Sequence, residues 1–152
     1  MKNILLLICT VLFLSGCMKE NPQLIKETDA NKKVVLSFYN TALNLKDPVK
    51  AVDAFMGTAE AHSIKGDTLL VGRTAIASSI TNFLNNFTDI KFKSEWIYAE
   101  GEMVMVRWII NCTPKENYLA YPAGKPMEIR GAAFFKLIDR KIFNSLTYWN
   151  IK

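Results

Sequence analysis

The hydrophobic residues of this chain change their spacing about halfway along it. Between residues 28 and 87 they recur every three or four positions, which is typical of amphipathic helices. From residue 90 onward they fall in stretches rich in β-branched and aromatic side chains, which favours strands. The pattern predicts an α+β domain, in which N-terminal helices pack on one face of a strongly curved, mostly antiparallel sheet.

Three helices are predicted in the first half of the chain. The first is expected to begin at Thr28 or Asp29, since either residue can cap it. A second, short helix is expected after Asp47, because a capping residue there stands directly before Pro48, which suits the first helical turn. A third is expected to open at Gly72. The first and third helices have one apolar face each, and the helices are predicted to pack against the sheet.

Four long strands are predicted after a short strand-like segment around residues 62–64. They are expected at residues 90–98, 102–112, 127–138 and 141–151. Residues 99–101 and 139–140 form tight connections, so the strands that they join are expected to pair antiparallel. A longer loop with three prolines, residues 113–126, connects the second and third of these strands.

The first seventeen residues carry a separate signal. A short basic start precedes an apolar run from Ile4 to Leu14, and Leu14-Ser15-Gly16-Cys17 follows. This pattern is typical of a secretory signal peptide, and its last four residues resemble a bacterial lipobox. We expect residues 1–16 to be removed and Cys17 to carry lipid. The alternative is an ordinary signal peptide or an uncleaved anchor with an incidental cysteine.

The lipobox interpretation predicts where the protein resides. Residues 17–28 are polar and are expected to form a flexible tether to a domain at residues 29–152. The protein would then be exported and anchored in the cell envelope, with the lipid bilayer as its partner through acylated Cys17. Because Met18 rather than aspartate follows the cysteine, the outer membrane is favoured where the host has one.

Charge and cysteine content exclude several function classes. The formal charge of +5 is scattered and forms no basic stripe, so nucleic acid is not expected as a partner. Cys112 is expected to be a buried thiol without a disulfide partner, because Cys9 and Cys17 belong to the signal and the lipid site. With His62 as the single histidine, soft ligands are too few for zinc, and neither a metal nor a cofactor is expected.

Several short sequence motifs follow one another along the chain in an order that matches a known family. They are Phe38-Tyr39-Asn40-Thr41-Ala42-Leu43-Asn44, Val71-Gly72-Arg73-Thr74-Ala75-Ile76, Ala99-Glu100-Gly101-Glu102-Met103, Ala123-Gly124-Lys125-Pro126-Met127 and Tyr148-Trp149-Asn150. Together they resemble the NTF2-like superfamily, specifically its SnoaL-like branch, over residues 30–151. The resemblance implies a cone-shaped fold with a pocket open at one end, and a homodimer through the open sheet face. Family members include cyclases, isomerases and dehydratases as well as non-catalytic binding domains, so fold alone does not choose the function.

The acid–base positions of such enzymes argue against catalysis in this chain. Proton abstraction next to a carbonyl needs a carboxylate or histidine base. The resemblance places Ser63, Ala133 and Asn150 where relatives carry carboxylates, and none of these is acidic. The favoured interpretation is therefore a non-catalytic domain that binds a hydrophobic, weakly polar small molecule or serves an accessory role.

Two alternatives remain open at the level of the sequence. One is an isomerase-, dehydratase- or cyclase-type enzyme with His62 as general base, beside Glu60, and Tyr39, Tyr148 or Asn150 as hydrogen-bond donors. The other is a homodimeric interaction module.

Successive side chains of a strand point to opposite faces of the sheet, and this alternation predicts which residues line the pocket. It places Ile142, Asn144, Leu146, Tyr148 and Asn150 on one face of the last strand. Gly131 and Ala133 are small, which is expected either to leave room for a ligand or to accommodate a bend of the sheet. The predicted pocket residues are Tyr39, Phe55, His62, Trp108, Ala133, Tyr148 and Asn150.

Overall fold

The computed structural model describes residues 22–57, 62–65 and 68–151. The elements in chain order are α1 (Pro22–Tyr39), a π-helical turn (Asn40–Asn44), α2 (Pro48–Phe55), β1 (His62–Lys65), β2 (Thr68–Val71), α3 (Arg73–Asn86), β3 (Phe87–Glu100), β4 (Met103–Pro114), β5 (Met127–Ile138) and β6 (Lys141–Ile151). The predicted signal peptide, Cys17 and the start of the predicted tether lie outside these residues.

The strands form one mixed sheet in the order β2-β1-β6-β5-β4-β3. The β1–β6 pair is parallel and the other four pairs are antiparallel. The four long strands and the tight connections between β3 and β4 and between β5 and β6 were predicted, and β5 and β6 have the predicted bounds. The α+β prediction is therefore confirmed, whereas the short strand β2 was not foreseen.

Register shifts interrupt two of the long strands. The pairing of β3 with β4 shifts between Thr88 and Lys91 and again between Ser94 and Trp96. In β6, Asn144 pairs with Lys136 and Ile142 pairs with Leu137, which leaves Phe143 as an extra residue. Such bulges bend a strand and increase its twist, so they favour the curvature that lets the sheet wrap around the helices.

Helix α1 begins earlier than the sequence indicated. Pro22 occupies its first position, where the missing N–H of proline costs nothing. Thr28, predicted as a cap, lies inside the helix and donates its hydroxyl hydrogen to the Leu24 carbonyl oxygen at 2.6 Å. Residues 22–28 therefore belong to the helix, which corrects the prediction that the tether extends to residue 28.

The starts of α2 and α3 agree with the prediction. The Asp47 carboxylate accepts a hydrogen bond from the Lys50 N–H at 3.0 Å, which satisfies a free donor of the first turn of α2. Gly72 precedes α3 with φ of 83°, a conformation that side-chain-bearing residues rarely adopt.

The core lies between the inner face of the sheet and the helices. Its fully buried members include Val35 of α1 and Phe135, Leu137 and Ile142 of the sheet. Cys112 is also buried, as predicted, and burial raises the pKa of its thiol to about 11. Within the ranges described above, no helix is both long and apolar enough to cross a membrane.

Candidate functional site

A cavity of about 150 Å³ lies between the inner face of the sheet and helices α1 and α3. Its wall residues are Phe38, Tyr39, Leu43, Met56, Leu70, Ile76, Ser79, Ile80, Phe83, Trp108, Ile110, Tyr118, Ile129, Phe135, Ile142, Ser145, Thr147 and Trp149. These described wall residues include aliphatic, aromatic and hydroxyl side chains but no Asp, Glu, His, Lys or Arg. The cavity is therefore apolar with a few neutral hydrogen-bonding groups.

Tyr39, at the end of α1, is held among other aromatic rings. Its ring stacks on Phe92 of β3, with ring centroids 4.4 Å apart and an angle of 10° between the ring planes. Phe135 meets it edge-on at 5.7 Å. The π-helical turn that follows is tied to the same strand, because the Asn44 side chain accepts from the Phe92 N–H at 2.8 Å. These contacts fix the tyrosine ring within the sheet's concave face.

The Tyr39 hydroxyl is the centre of a small polar cluster. The side chains of Thr147 and Trp108 line the cavity beside it. Both groups lower the pKa of Tyr39, but burial outweighs them and raises this pKa well above its usual value. Tyr39 is therefore neutral at physiological pH and has a hydrogen to donate, while it cannot serve as a base.

The Trp108 indole N–H has unused hydrogen-bonding capacity. Trp108 is 4% exposed, and its Nε1 atom is buried without a partner in hydrogen-bond geometry among the described protein groups. The Tyr39 and Trp108 rings are neighbours, with centroids 6.5 Å apart, but the indole N–H makes no hydrogen bond to the Tyr39 hydroxyl. A buried donor without a partner costs about 1–3 kcal/mol, so such groups usually have a specific explanation.

Gly131 explains how the Trp108 ring fits against the sheet. Gly131 pairs with Trp108 in the sheet, and a Cβ built on the glycine would lie 2.3 Å and 2.6 Å from two carbons of the indole ring. The sequence predicts that this small residue leaves room for a ligand or accommodates a bend of the sheet. In the structure the space beside Gly131 is occupied by the Trp108 indole, and the indole lines the cavity.

The bulge at Phe143 changes which residues of β6 face the cavity. Beyond it, Ser145, Thr147 and Trp149 line the cavity. Tyr148 and Asn150 instead border a shallow groove on the outer face of the sheet. Simple alternation from Ile142 predicted the opposite, so the placement of Tyr148 and Asn150 in the pocket is corrected. The adjacent apolar residues Ile142 and Phe143 were the available sequence signal for this irregularity.

Two other predicted pocket residues also lie away from the cavity surface. Phe55 is half-buried against the core, and the next residue, Met56, lines the cavity instead. The reason is that Met56 leaves α2 in an extended conformation and bridges to Ile142 of β6. Ala133 is completely buried between β4 and β6 and does not contribute to the wall.

His62 lies in β1, but its side chain is outside the described part of the structure, as is Glu60. The backbone register pairs His62 with Val71 and Asn144, neither of which lines the cavity. The neighbouring Ser63 is instead paired with two residues that do, Leu70 and Ser145. Of the predicted pocket residues, Tyr39 and Trp108 are the ones that the structure brings together at the cavity.

Metal-ligating side chains do not cluster in the described ranges. No group of three His, Cys, Asp or Glu residues there is placed to hold a metal ion.

Comparison with known proteins gives one family match. A family model described as SnoaL-like polyketide cyclase matches residues 33–151, well over half of the chain. No curated protein sequence matches significantly.

Solved structures resemble the fold at low sequence identity. A candidate SnoaL-like polyketide cyclase from Jannaschia sp. CCS1 is 16% identical, with a TM-score of 0.72 over 82% of this chain and 88% of that one. A SnoaL-like polyketide cyclase from Agrobacterium tumefaciens is 13% identical, with a TM-score of 0.66 over 79% and 91%. An LEH-like epoxide hydrolase from M. tuberculosis is 18% identical, with a TM-score of 0.64 over 82% and 85%. At these identities the likeness establishes the NTF2-like cone fold.

Replacing Gly131 by alanine should disturb the cavity wall. The new methyl group would overlap the Trp108 ring and approach the Tyr148 carbonyl oxygen at 2.6 Å, so ring and backbone both have to move. We expect the free energy of unfolding to fall by about 1–3 kcal/mol, measured by urea denaturation, with a change in tryptophan fluorescence.

Gly57→Ala is the matched control. The nearest atom to a Cβ there is the Ile142 carbonyl oxygen at 3.5 Å, an ordinary contact, so stability should change by less than about 1 kcal/mol. Equal effects of the two substitutions would show that the indole contact is not the cause.

Proposed function

The chain belongs to the SnoaL-like polyketide cyclase family, and within this family we propose that it acts as a non-catalytic binding domain. Its cavity takes a small, uncharged, largely hydrophobic molecule. The observation that carries the proposal is the described cavity wall, which has no acidic, basic or imidazole side chain. Removal of a proton next to a carbonyl needs a base, and the buried Tyr39 stays neutral.

The size of the cavity limits what it can bind. An apolar cavity of about 150 Å³ is the size that holds a benzene molecule in an engineered protein core. A charged ligand is disfavoured, because burial of an unpaired charge is far more costly than burial of a neutral group. The ligand is therefore a neutral compound of about one ring, or one ring-sized end of a longer molecule.

The alternative function is an enzyme with His62 as general base. It is supported by similarity to structures that are named as a polyketide cyclase and an epoxide hydrolase. It requires the imidazole to reach a ligand in the cavity, although the backbone neighbours of His62 in the sheet do not line that cavity.

The N-terminal lipobox adds a location to this function. Acylation at Cys17 would hold the domain at the surface of a membrane in the cell envelope, with the outer membrane favoured where the host has one. Apolar small molecules concentrate in bilayers, so a membrane-tethered cavity would meet them at high local concentration.

The outer face of the sheet supports a homodimer. Trp96 and Tyr98 of β3 stack on each other there, with ring centroids 6.0 Å apart, and each is 49% exposed. Phe134 and Tyr148 extend the same face and are also exposed. These exposed aromatic side chains share the face with Arg107 and Arg130, which pair with Glu95. Aromatic and arginine side chains are enriched at protein interfaces, and a second copy of the chain is the partner we propose.

Native mass spectrometry should detect the bound molecule. We expect the purified protein, never exposed to denaturant, to carry an extra mass that dissociates unchanged on activation. The Ile80→Trp substitution, which fills the cavity from α3, should reduce this occupancy about tenfold or more. Ile109→Trp, a control on the outer face of β4, should retain it.

A His62→Ala variant should bind and release the same mass, whereas conversion of the ligand by the wild type alone would establish the enzyme instead.

Lipidation should depend on Cys17. In a bacterial host supplied with labelled fatty acid, the wild-type protein should incorporate label and partition into detergent, while Cys17→Ala should do neither. Cys9→Ala is the control and should behave as wild type. Label on Cys17→Ala, or none on the wild type, would contradict the lipoprotein assignment.

The oligomeric state should depend on the aromatic face. Sedimentation equilibrium is expected to give a dimer for the detergent-solubilised wild type and at least a tenfold weaker dimer for Phe134→Lys. Val49→Lys, which adds the same charge at an exposed position of α2, should leave the dimer intact. A monomeric wild type, or equal effects of both substitutions, would contradict a dimer through this face.

A further inference from the structure

The first turns of α1 extend past the body of the domain. Every residue from 23 to 27 is exposed, and the first buried residue of the helix is Asn31. The Asn31 side chain donates a hydrogen bond to the Gly101 carbonyl oxygen at 2.8 Å, so the helix leaves the domain beside the turn between β3 and β4. Residues 22–30 then reach up to about 14 Å farther, at the usual rise of a helix.

Two large hydrophobic side chains lie on these free turns of α1. Leu24 is 50% exposed and Ile25 is 44% exposed. At helical spacing, Leu24 shares a face of the helix with Thr28, Asn31 and Val35, and burial along this face rises from exposed to complete. Leu24 therefore continues the face with which α1 packs on the domain, beyond the point where any described element covers it.

The adjacent end of the sheet is also partly apolar. Met103, the first residue of β4, and Ile138, the last residue of β5, are both exposed. The Leu137 N–H donates to the Glu102 carbonyl oxygen at 2.8 Å, which keeps these two strand ends together. Exposed hydrophobic side chains of α1, β4 and β5 thus lie at one end of the domain. We call it the turn end, because it carries the turns β3–β4 and β5–β6.

The predicted lipid site is close to the turn end. Four residues separate Cys17 from Pro22, where α1 begins. Even a fully extended chain spans at most about 18 Å over the five steps from Cys17 to Pro22. A bilayer that holds acylated Cys17 would therefore lie within this distance of the start of α1.

We propose that the free turns of α1 dock on the bilayer that holds Cys17, with Leu24 and Ile25 buried at the boundary between headgroups and acyl chains. Because the lipid already holds the domain at the membrane, this contact is in effect intramolecular, and a few apolar groups suffice to favour it. The inference rests on the lipidation proposed above and adds the surface through which the domain contacts the membrane.

Charge does not explain this contact. Anionic headgroups attract clusters of lysine and arginine, but the turn end has no excess of them. Residues 22–27, 100–102 and 139–141 contain three basic and four acidic residues. The docking is therefore expected to depend on apolar contact and to be the same on neutral and on anionic vesicles.

Docking through α1 determines how the domain stands on the membrane. Strand β4 begins at the turn end with Met103 and runs for 12 residues to Pro114. The loop that follows, residues 115–126, contributes Tyr118 to the cavity wall. A strand of this length spans at most about 40 Å, so the loop is expected to point away from the bilayer.

An NBD fluorophore on an introduced cysteine reports contact with the membrane, because dithionite reduces NBD in water and does not cross a bilayer. Cys112 is buried and Cys17 would be acylated, so the introduced thiol is the one expected to react. The label is placed at Glu27→Cys on the free turns or at Leu119→Cys in the loop at the opposite end. The lipidated full chain is inserted into preformed phosphatidylcholine vesicles, with or without phosphatidylglycerol.

Dithionite should reduce the label at position 27 at least about tenfold more slowly than the label at position 119. The double substitution Leu24→Gln with Ile25→Gln should speed reduction at position 27 about fivefold or more, because glutamine keeps the helix but loses the apolar contact. Leu45→Gln with Val49→Gln is the matched control. It changes two exposed apolar residues beyond the other end of α1 and should leave the rate within about twofold.

Flotation of the vesicles in a density gradient tests the anchor separately. Protein that does not float with the vesicles would overturn both the lipidation and the docking. Among proteins that float, equal reduction rates at positions 27 and 119, or equal effects of the two double substitutions, would overturn the docking alone. Protection that requires phosphatidylglycerol would also overturn it, since the contact would then be electrostatic.

Discussion

The contact between the Trp108 indole and Gly131 is the constraint on which the cavity depends. The Trp108 indole lies on the concave face of the sheet, and a Cβ at position 131 would overlap it and push it away. With glycine there, the ring lies against the backbone and beside the Tyr39 ring. One missing methyl group thus sets both the shape of the wall and the place of its polar cluster.

The bulge at Phe143 is a single extra residue, and it changes which side chains of β6 face the cavity. It turns Ser145, Thr147 and Trp149 toward the cavity and places Tyr148 and Asn150 on the outer face. As a result the inner face gains small hydroxyl groups, and the outer face gains an exposed tyrosine. The binding function and the homodimer that we propose therefore use opposite faces of the same strand.

The fold was largely predictable because its signals are periodic and local. The cap at Asp47, the glycine at position 72 and the β-branched strands each favour one structure over a few residues, and together they lead to the α+β sheet. The early start of α1 was missed because Thr28 suits a cap as well as it suits a bond back to the Leu24 carbonyl. That choice depends on the surrounding structure, which the sequence pattern does not contain.

The site was predictable only in part, since it depends on register and packing. Tyr39 and Trp108 were recognised because both are large aromatic residues on elements that the pattern predicts to pack together. Thr147 was missed because a shift of one residue reverses every side chain that follows it. The contact between Gly131 and Trp108 joins residues 23 positions apart along the chain, so composition and alternation could not reveal it.

Family membership explains the cone, while the chemistry depends on the few polar groups inside it. The most direct test of this account is the NMR signal of the Trp108 indole N–H, assigned among the three tryptophans with Trp108→Phe. Addition of benzene, which fits an apolar cavity of about 150 Å³, should shift this signal in the wild type because the indole lines the cavity, while the Ile80→Trp variant should show a much smaller shift. No shift in the wild type at benzene concentrations near its solubility limit, or equal shifts in both proteins, would contradict the account.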